Sequence, residues 1–476
     1  MDSLEIKGGV PLHGEVQISG AKNAVLPILA ATLLTREPCV IRNAPNLADV
    51  KTMCMILESL GATTSIEGGT VTVQAARVRD FADYDLVRKM RGSLCVLGPL
   101  LARLKKATVS MPGGCVIGTR PVDLHRKAME ALGAKVEIDK GYIVAKTRKL
   151  VGGEMFLGGR AGPTVLGTAN AMMAASLAEG ITVIEQAACE PEVVDLANFL
   201  SSMGAQIHGS GAPTLTITGV KELGGTEHEV IPDRIEAATY AIAGVATKGE
   251  VTLKGARADH MKAVLEKLRE SGVKVEQSKG NLTFKRGRGL HSVHVTTLPH
   301  PGFPTDVQAQ MMAFMTQTPG ISIITERIFE SRFTHVQEME RLGAEISIEG
   351  PSAIVHGVQK LSGAEVMASD LRASAALVIA GMVAKGTTRV SRIYHLDRGY
   401  ENLDAKFKKL GAKVRRVQAL HGQVLGIGAP RVHGEARSLR LHVAPLDCAP
   451  RQRRRALRQS GPLARYRRRR GGGDGG

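Results

Sequence analysis

The chain has 476 residues, of which 43% are hydrophobic and only 3% aromatic, a length that favours two or three domains over a single core. The formal net charge of +18 is uneven, because residues 417–476 contain 13 arginines and three acidic residues, or +10, which leaves +8 for the other 416. The mildly basic body and the scarcity of base-stacking aromatic residues argue against a nucleic-acid-binding protein.

Targeting and metal-binding signals are missing from the sequence. Residues 1–7 lack the basic and apolar regions of a signal peptide, and no apolar run approaches the ~20 residues that a membrane-spanning helix needs. The cysteines lie far apart, without metal-ligand spacing, at positions 39, 54, 95, 115, 189 and 448. We therefore expect a soluble cytoplasmic protein with reduced thiols, no bound metal and no membrane partner.

A short phrase, usually Leu-Gly-Ala, recurs six times along the chain. Its glycines are 68 to 72 residues apart, at positions 61, 133, 204, 272, 343 and 411. An amphipathic helix precedes the phrase, as at 48–60, and an alternating strand follows it, as at 135–138. Glycine at this point is typical of a left-handed helix C-cap that leads directly into a strand.

Each recurrence belongs to a longer repeating unit. An Ala-rich or Met-rich helix and a short strand open the unit. Examples are a helix at 170–178 before a strand at 181–184, and a helix at 374–383 before a strand at 387–390. The unit is therefore helix, strand, helix, strand and strand, about 70 residues long by this reading. Six such units predict an α/β fold of two domains, each with three units, with helices packed inside and sheets around them.

Two segments of the first domain carry candidate chemistry. Lys22 and Asn23 follow Gly20 and Ala21 at the start of a helix, where amide groups and a lysine form a ready anion site. Residues 111–121 hold three glycines between two prolines, as a mobile lid requires. Cys115 in this segment lies five residues before Arg120, and a nearby cation makes a thiol more reactive.

Three later helices begin with acidic residues at equivalent points of their units. Asp233, Asp306 and Asp370 occupy these positions, with Arg372 close behind the last. A carboxylate at such a position usually caps the helix. Because the positions are equivalent, two facing domains can present these residues to one cleft.

The last 59 residues, 418–476, do not follow the repeating pattern. Arg, Pro, Ala and Gly dominate them, and we expect a disordered tail that is an out-of-frame or otherwise non-selected extension. The alternative is an RNA-binding tail, although only one aromatic residue, Tyr466, interrupts the arginines.

Six phrases in order make the chain resemble the enolpyruvyl transferases. They are SGAKNA at 19–24, MR at 90–91, PGGC at 112–115, GTRPVDL at 118–124, PTD at 304–306 and DRGYE at 397–401. The resemblance covers about residues 1–416. It implies two inside-out α/β domains with the active site in the cleft between them. The first domain would be 22–231, and the second would combine 1–21 with 232–417.

The resemblance implies transfer of the enolpyruvyl group of phosphoenolpyruvate to the 3-hydroxyl of UDP-N-acetylglucosamine, with release of phosphate. This is the first committed step of peptidoglycan synthesis, and it needs no metal or organic cofactor. Asp306 resembles the base at the sugar hydroxyl, and Cys115 the acid that protonates C3 of the enol. Lys22, Arg120 and Arg398 match the cations that hold phosphoenolpyruvate.

Further residues match the family's substrate contacts. They are Asn23, Arg91, Pro121, Val122, Asp123, Leu124, Arg160, Gly162, Ile328, Arg332, Asp370 and Arg372. Two positions depart from the family pattern, since serine is common where Gly162 stands and lysine where Arg160 stands. The main alternative is the sister enzyme that acts on shikimate 3-phosphate, against which the Cys-bearing lid and the 120–124 phrase argue. A catalytically dead scaffold has no support, because every major catalytic position is filled.

Overall fold

The computed structural model describes residues 2–111 and 122–418. The predicted lid residues Cys115, Arg120 and Pro121 and the predicted tail beyond residue 418 lie outside the described residues. The α-helices of the described residues are α1 Lys22–Ala31, α2 Ala48–Ser59, α3 Tyr84–Val87, α4 Leu97–Leu104, α5 Asp123–Ala131, α6 Val165–Ala175, α7 Pro191–Ser202, α8 Arg234–Ala246, α9 Lys262–Glu270, α10 Gln308–Met315, α11 Val336–Arg341, α12 Leu371–Val383 and α13 Leu403–Lys409.

The strands that lie between these helices are short. They are β1 Ser3–Lys7, β2 His13–Gln17, β3 Pro38–Arg42, β4 Thr63–Glu67, β5 Thr70–Gln74, β6 Phe81–Ala82, β7 Lys106–Ser110, β8 Lys135–Asp139, β9 Tyr142–Lys146, β10 Glu154–Phe156, β11 Gly158–Gly159, β12 Gly162–Pro163, β13 Ile181–Glu185, β14 Gln206–His208, β15 Thr214–Thr218, β16 Glu227–Glu229, β17 Glu250–Lys254, β18 Val273–Ser278, β19 Asn281–Arg286, β20 Val295–Thr296, β21 Ile321–Thr325, β22 Glu345–Glu349, β23 Ser352–His356, β24 Glu365–Met367, β25 Thr387–Ser391 and β26 Lys413–Val417. Single 3-10 turns cover Thr32–Leu34, Arg91–Val96, Ala258–His260, Thr305–Val307 and Ile393–Arg398.

The predicted repeating unit is confirmed. The first unit runs α1, β3, α2, β4 and β5, and the fifth runs α10, β21, α11, β22 and β23. The six glycines of the recurring phrase all have φ between +87° and +107°. Residues with a Cβ adopt this left-handed conformation only with strain, so glycine ends each helix and turns the chain into the next strand.

Each unit contributes to a four-stranded sheet with one common order. In the first sheet the order is β16-β3-β5-β4, and β16 runs parallel to β3 while the other pairs are antiparallel. The parallel edge strand comes from outside the unit. For the first sheet it is β16, which follows the third unit, so the first three units close into a ring.

The N-terminal strands close the second ring of units. β1 lies between β25 and β26 in the sixth sheet, where the other sheets have the third strand of their own unit. β2 then runs parallel to β17 as the edge strand of the fourth sheet. The first strands of the chain therefore complete the sheets of units that lie more than 200 residues away in sequence.

The buried apolar residues form two clusters. One contains residues from 21 to 230, and the other combines residues from 4 to 18 with residues from 235 to 414. The innermost helices α6, α8 and α12 are buried almost throughout. Their Ala and Gly residues present little bulk, so the helices pack closely inside while the amphipathic sheets face solvent.

Some predicted helix boundaries were wrong. The helix predicted at 170–178 is α6, which begins at Val165 because the Thr164 side chain accepts a hydrogen bond from the Gly167 amide. The helix predicted at 374–383 begins at Leu371, just after the capping residue Asp370. In the part of the chain that the structure describes, no helix is long and apolar enough to span a membrane. The same residues hold no cluster of three or more His, Cys, Asp or Glu side chains arranged for a metal ion.

Candidate active site

A buried carboxylate in the first half of the fold forms ion pairs with two cations. Asp49, near the start of α2, is 4% exposed. Its Oδ2 lies 2.7 Å from Lys22 Nζ, at the start of α1, and its Oδ1 lies 2.9 Å from Arg398 Nε. Arg398 belongs to the 3-10 turn after β25, whose neighbours pack in the second cluster. The Lys22–Asp49–Arg398 contact therefore joins the two halves of the fold.

Burial and charge act in opposite directions on this group. Burial alone raises the pKa of Asp49, but Lys22 and Arg398 outweigh it, so the pKa lies below the usual value and the carboxylate is ionised. For Lys22, burial lowers the pKa, and the nearby cations Arg372 and Arg398 lower it further, against the attraction of Asp49. Asp49 is thus the group that opposes this lowering of the Lys22 pKa, although the sequence did not single it out.

Asp306 lies between two buried arginines. Its Oδ1 accepts a hydrogen bond of 2.8 Å from Arg332 Nη1, and its Oδ2 accepts bonds of 3.3 and 3.2 Å from Arg372 Nε and Nη2. Although a carboxylate at such a position usually caps a helix, Asp306 forms no side-chain cap at the Thr305–Val307 turn or at α10. The carboxylate instead points to the cations, which hold it in one orientation.

A second buried carboxylate, Glu326, stabilises the loop that carries Arg332. Glu326 is 0% exposed, and its Oε1 accepts hydrogen bonds from the amides of Ile328 and Phe329 at 2.8 and 3.0 Å. Its Oε2 accepts a bond of 2.8 Å from Thr305 Oγ1, which also receives Arg332 Nη1 at 2.9 Å. Glu326 therefore fixes the loop of Ile328 and Arg332 against the turn that carries Asp306. Sequence reasoning missed this residue.

Asp233 and Asp370 are helix caps, as predicted. The Asp233 side chain accepts hydrogen bonds from two amides at the start of α8, and Asp370 does the same for α12. Asp233 Oδ2 also accepts a bond of 3.3 Å from the amide of Lys22. One amide of the anion site expected at the start of α1 is therefore bonded to a carboxylate of the chain itself.

Four of the predicted contact residues belong to helices and turns of the first half of the fold. Asn23 is exposed next to Lys22, and Arg91 begins the turn before α4. Asp123 is the exposed first residue of α5, and Leu124 is half-buried behind it. Val122 immediately precedes α5.

The β11–β12 hairpin reaches from the first half to the second. Arg160 Nη2 lies 2.9 Å from Glu330 Oε1, and both side chains are exposed. Gly162 has φ +102°, and a Cβ at this position would lie 2.6 Å from Cγ of Pro299. The absence of a side chain therefore lets the hairpin approach Pro299 closely, which gives a physical reason for glycine where serine is common.

We expect Gly162→Ser to destabilise the protein by about 2 kcal/mol, through backbone strain and the contact with Pro299. Gly204→Ser is the matched control, because Gly204 has φ +107° but open space around its Cβ position. Thermal unfolding of both variants separates the two causes. Equal shifts of the melting temperature would show that the Pro299 contact adds nothing.

Comparison with known proteins shows the family to which the chain belongs. The sequence model of the family described as EPSP synthase (3-phosphoshikimate 1-carboxyvinyltransferase) matches residues 6–407. The UDP-N-acetylglucosamine 1-carboxyvinyltransferase of Methylacidiphilum infernorum is 54% identical over 417 residues, which are 88% of this chain and 99% of that protein. The protein of the same name from Desulfosudis oleivorans is 52% identical over 418 residues, 88% of this chain and 100% of that one.

Solved structures show the same fold. The enolpyruvyl transferase NikO from Streptomyces tendae superposes with a TM-score of 0.80 at 26% identity, covering 88% of this chain and 99% of that one. EPSP synthase from Acinetobacter baumannii gives a TM-score of 0.69 at 16% identity, covering 88% and 100%. The chain therefore belongs to the enolpyruvyl transferase family, alongside the UDP-N-acetylglucosamine 1-carboxyvinyltransferases that it matches over nearly their whole length.

Proposed function

We propose that the protein transfers the enolpyruvyl group of phosphoenolpyruvate to the 3-hydroxyl of UDP-N-acetylglucosamine and releases phosphate. The observation that carries this proposal is that Lys22, from the first half of the fold, lies close enough to Arg372 and Arg398, from the second half, to feel their charge, and that Arg372 binds Asp306. Phosphoenolpyruvate carries a carboxylate and a phosphate, which such a cluster of cations suits. The names of the relatives supply the acceptor.

The proton transfers of the proposed reaction define the roles of Asp306 and Cys115. Asp306 takes the proton of the 3-hydroxyl as its oxygen attacks C2 of phosphoenolpyruvate, and C3 gains a proton from Cys115. The Cys115 thiolate then takes one proton back from the C3 methyl group, the electrons of that C–H bond form the C2–C3 double bond, and phosphate leaves with the electrons of its bond to C2. Lys22 and Arg398, with Arg120, stabilise the negative charge of the donor. Asp306 is suited to its role because Arg332 and Arg372 fix its two oxygens.

The remaining predicted residues are proposed as acceptor contacts. They are Asn23, Arg91, Pro121, Val122, Asp123, Leu124, Arg160, Gly162, Ile328, Arg332, Asp370 and Arg372. We further propose that the two buried clusters are the cores of two domains, 22–231 and 1–21 with 232–417, and that the cleft between them closes over the substrates. Closure excludes water, which protects the adduct and the enol from hydrolysis.

The proposal places the reaction in cytoplasmic peptidoglycan synthesis. A cytoplasmic location agrees with the thiols of the described residues, since Cys39, Cys54, Cys95 and Cys189 form no disulfide with one another. Because the proposed acceptor is the nucleotide sugar UDP-N-acetylglucosamine, the proposed product is a cell-wall precursor.

Phosphate release from phosphoenolpyruvate tests the function. We expect release with UDP-N-acetylglucosamine as acceptor, and none with shikimate 3-phosphate or without an acceptor. Release with shikimate 3-phosphate alone would assign the chain to the sister activity, for which the family model's own description is the supporting observation.

The role of Cys115 leads to a separate prediction. We expect fosfomycin to alkylate its thiol, because the proposed acid of the reaction is a cysteine five residues before Arg120 in sequence, and a nearby cation makes a thiol more reactive. Mass spectrometry after incubation with the drug and UDP-N-acetylglucosamine detects the adduct. Cys95 is an internal control, since burial raises the pKa of its thiol to about 12 and keeps it unreactive. An unmodified Cys115 would count against its assignment.

A further inference from the structure

We infer that Gln310 and Tyr400 are positioning residues that hold the Asp306 carboxylate and the Arg372 guanidinium in a fixed position relative to each other. The inference rests on the proposed function, because both residues act through the base of that reaction. Neither residue carries a role in the mechanism above. Tyr400 belongs to the DRGYE phrase at 397–401, from which only Arg398 has been assigned a role.

Four residues form a closed ring of contacts. Gln310 Nε2 donates a hydrogen bond of 2.9 Å to the backbone oxygen of Asp306, and it lies 3.2 Å from Tyr400 Oη. The Arg372 guanidinium carbon lies 5.1 Å from the centre of the Tyr400 ring. Arg372 in turn binds Asp306 Oδ2 through Nε and Nη2. The ring therefore holds Asp306 from its backbone and from its carboxylate at once.

Thr239 fixes the direction of the hydrogen bonds in this ring. Its hydroxyl donates its single proton to the Ile235 carbonyl oxygen at 2.8 Å, so it acts as an acceptor towards its other neighbours. Tyr400 Oη, at 3.0 Å, must then donate to Thr239. Gln310 Nε2 donates one of its two protons to the Asp306 backbone oxygen, and its other proton is shared between Thr239 Oγ1 at 3.1 Å and Tyr400 Oη at 3.2 Å.

Burial gives the ring its rigidity. Thr239 and Gln310 are 0% exposed, and Tyr400 and Arg372 are 2% exposed. They come from the inner helices α8, α10 and α12 and from the segment before α13. Polar groups in such a dry environment have few alternative partners, so their arrangement is strongly specified. Because Tyr400 and Gln310 are enclosed, their effect on the reaction passes through Arg372 and Asp306.

Substitutions of Tyr400 separate its ring from its hydroxyl. Because small misplacements of a catalytic group reduce rates steeply, we expect Tyr400→Leu to lower kcat for phosphate release by about 30-fold, with KM for UDP-N-acetylglucosamine changed less than about threefold. Tyr400→Phe keeps the ring beneath Arg372, and we expect it to retain kcat within about threefold. Gln310→Met removes the amide and is expected to lower kcat about tenfold.

Tyr240→Leu is the matched control, because Tyr240 is an equally buried tyrosine of α8 that packs on Phe407 and lies outside the ring. It is expected to lower the melting temperature as Tyr400→Leu does, but to leave kcat within about threefold of wild type. Combining Tyr400→Leu with Arg372→Lys tests the path, since residues that act as one unit give less than additive losses. Full additivity, or equal kcat for the two leucine variants, would overturn the inference.

A crystal structure of Tyr400→Leu gives a readout that does not depend on turnover. We expect Arg372 to move out of hydrogen-bonding distance of Asp306 Oδ2, and an unchanged contact would overturn the inference. A wild-type protein that releases no phosphate would instead refute the proposed function, and the crystal structure would then decide on the ring alone.

Discussion

Asp306→Asn is expected to lower kcat for phosphate release by about 10³-fold, because an amide cannot take the proton of the attacking hydroxyl. Asparagine keeps the shape of the side chain and can still accept a hydrogen bond from Arg332 or Arg372. We therefore expect KM for phosphoenolpyruvate to change much less than kcat. Steady-state kinetics with both substrates varied measures the two effects separately.

The matched control for Asp306 is Asp397→Asn. Asp397 also forms a bidentate ion pair with an arginine, at 2.9 and 2.7 Å from Arg416, and although it precedes Arg398 in sequence, its carboxylate is bound by Arg416. Its loss removes an ion pair without removing the base, so kcat should stay near the wild-type value. If Asp306→Asn and Asp397→Asn had the same modest effect on kcat, Asp306 would not be the base.

Asp49→Asn is expected to have the second largest effect, through Lys22. The substitution removes the one carboxylate that raises the pKa of Lys22, while burial and the cations Arg372 and Arg398 continue to lower it. The ammonium group then loses its proton at lower pH. The alkaline limb of the profile of kcat/KM for phosphoenolpyruvate should accordingly move to lower pH. At pH 8 we expect a loss of about tenfold in kcat/KM, since one cation of the donor site is weakened.

Stability should fall in the same variant, because Lys22 and Arg398 lose the carboxylate between them, at a cost of about 3 kcal/mol. Asp195→Asn provides the control. Asp195 is a buried carboxylate that binds His228 and the Ile231 amide, and not Lys22 or Arg398. That variant should lose stability without a shift of the alkaline limb. A shift of equal size in both variants would mean that the pH effect is not transmitted through Lys22.

The repeating architecture could be predicted from the sequence because its signal is local. Each of the glycines at 61, 133, 204, 272, 343 and 411 needs a left-handed conformation at a helix end, and this requirement is visible in one residue type at one spacing. The caps Asp233 and Asp370 are local in the same sense, since a capping side chain bonds amides two and three residues ahead.

The supporting residues of the site could not be predicted, because their partners are distant in sequence. Asp49 meets Arg398 across 349 positions, and Glu326 meets Thr297 across 29. An acidic residue in the first turn of a helix looks the same whether it faces solvent or two cations. The position of Asp306 alone would fit a cap, and its contacts with two arginines from elsewhere in the fold are not visible in the local sequence.

The central claim is that Asp306, held by Arg332 and Arg372, faces the hydroxyl that attacks the enol. A crystal structure of the protein with UDP-N-acetylglucosamine tests it most directly. We expect the sugar 3-hydroxyl about 3 Å from an Asp306 carboxylate oxygen, within reach for proton transfer. A nucleotide sugar bound with its 3-hydroxyl out of reach of Asp306, in a crystal form that turns over substrate, would contradict the claim.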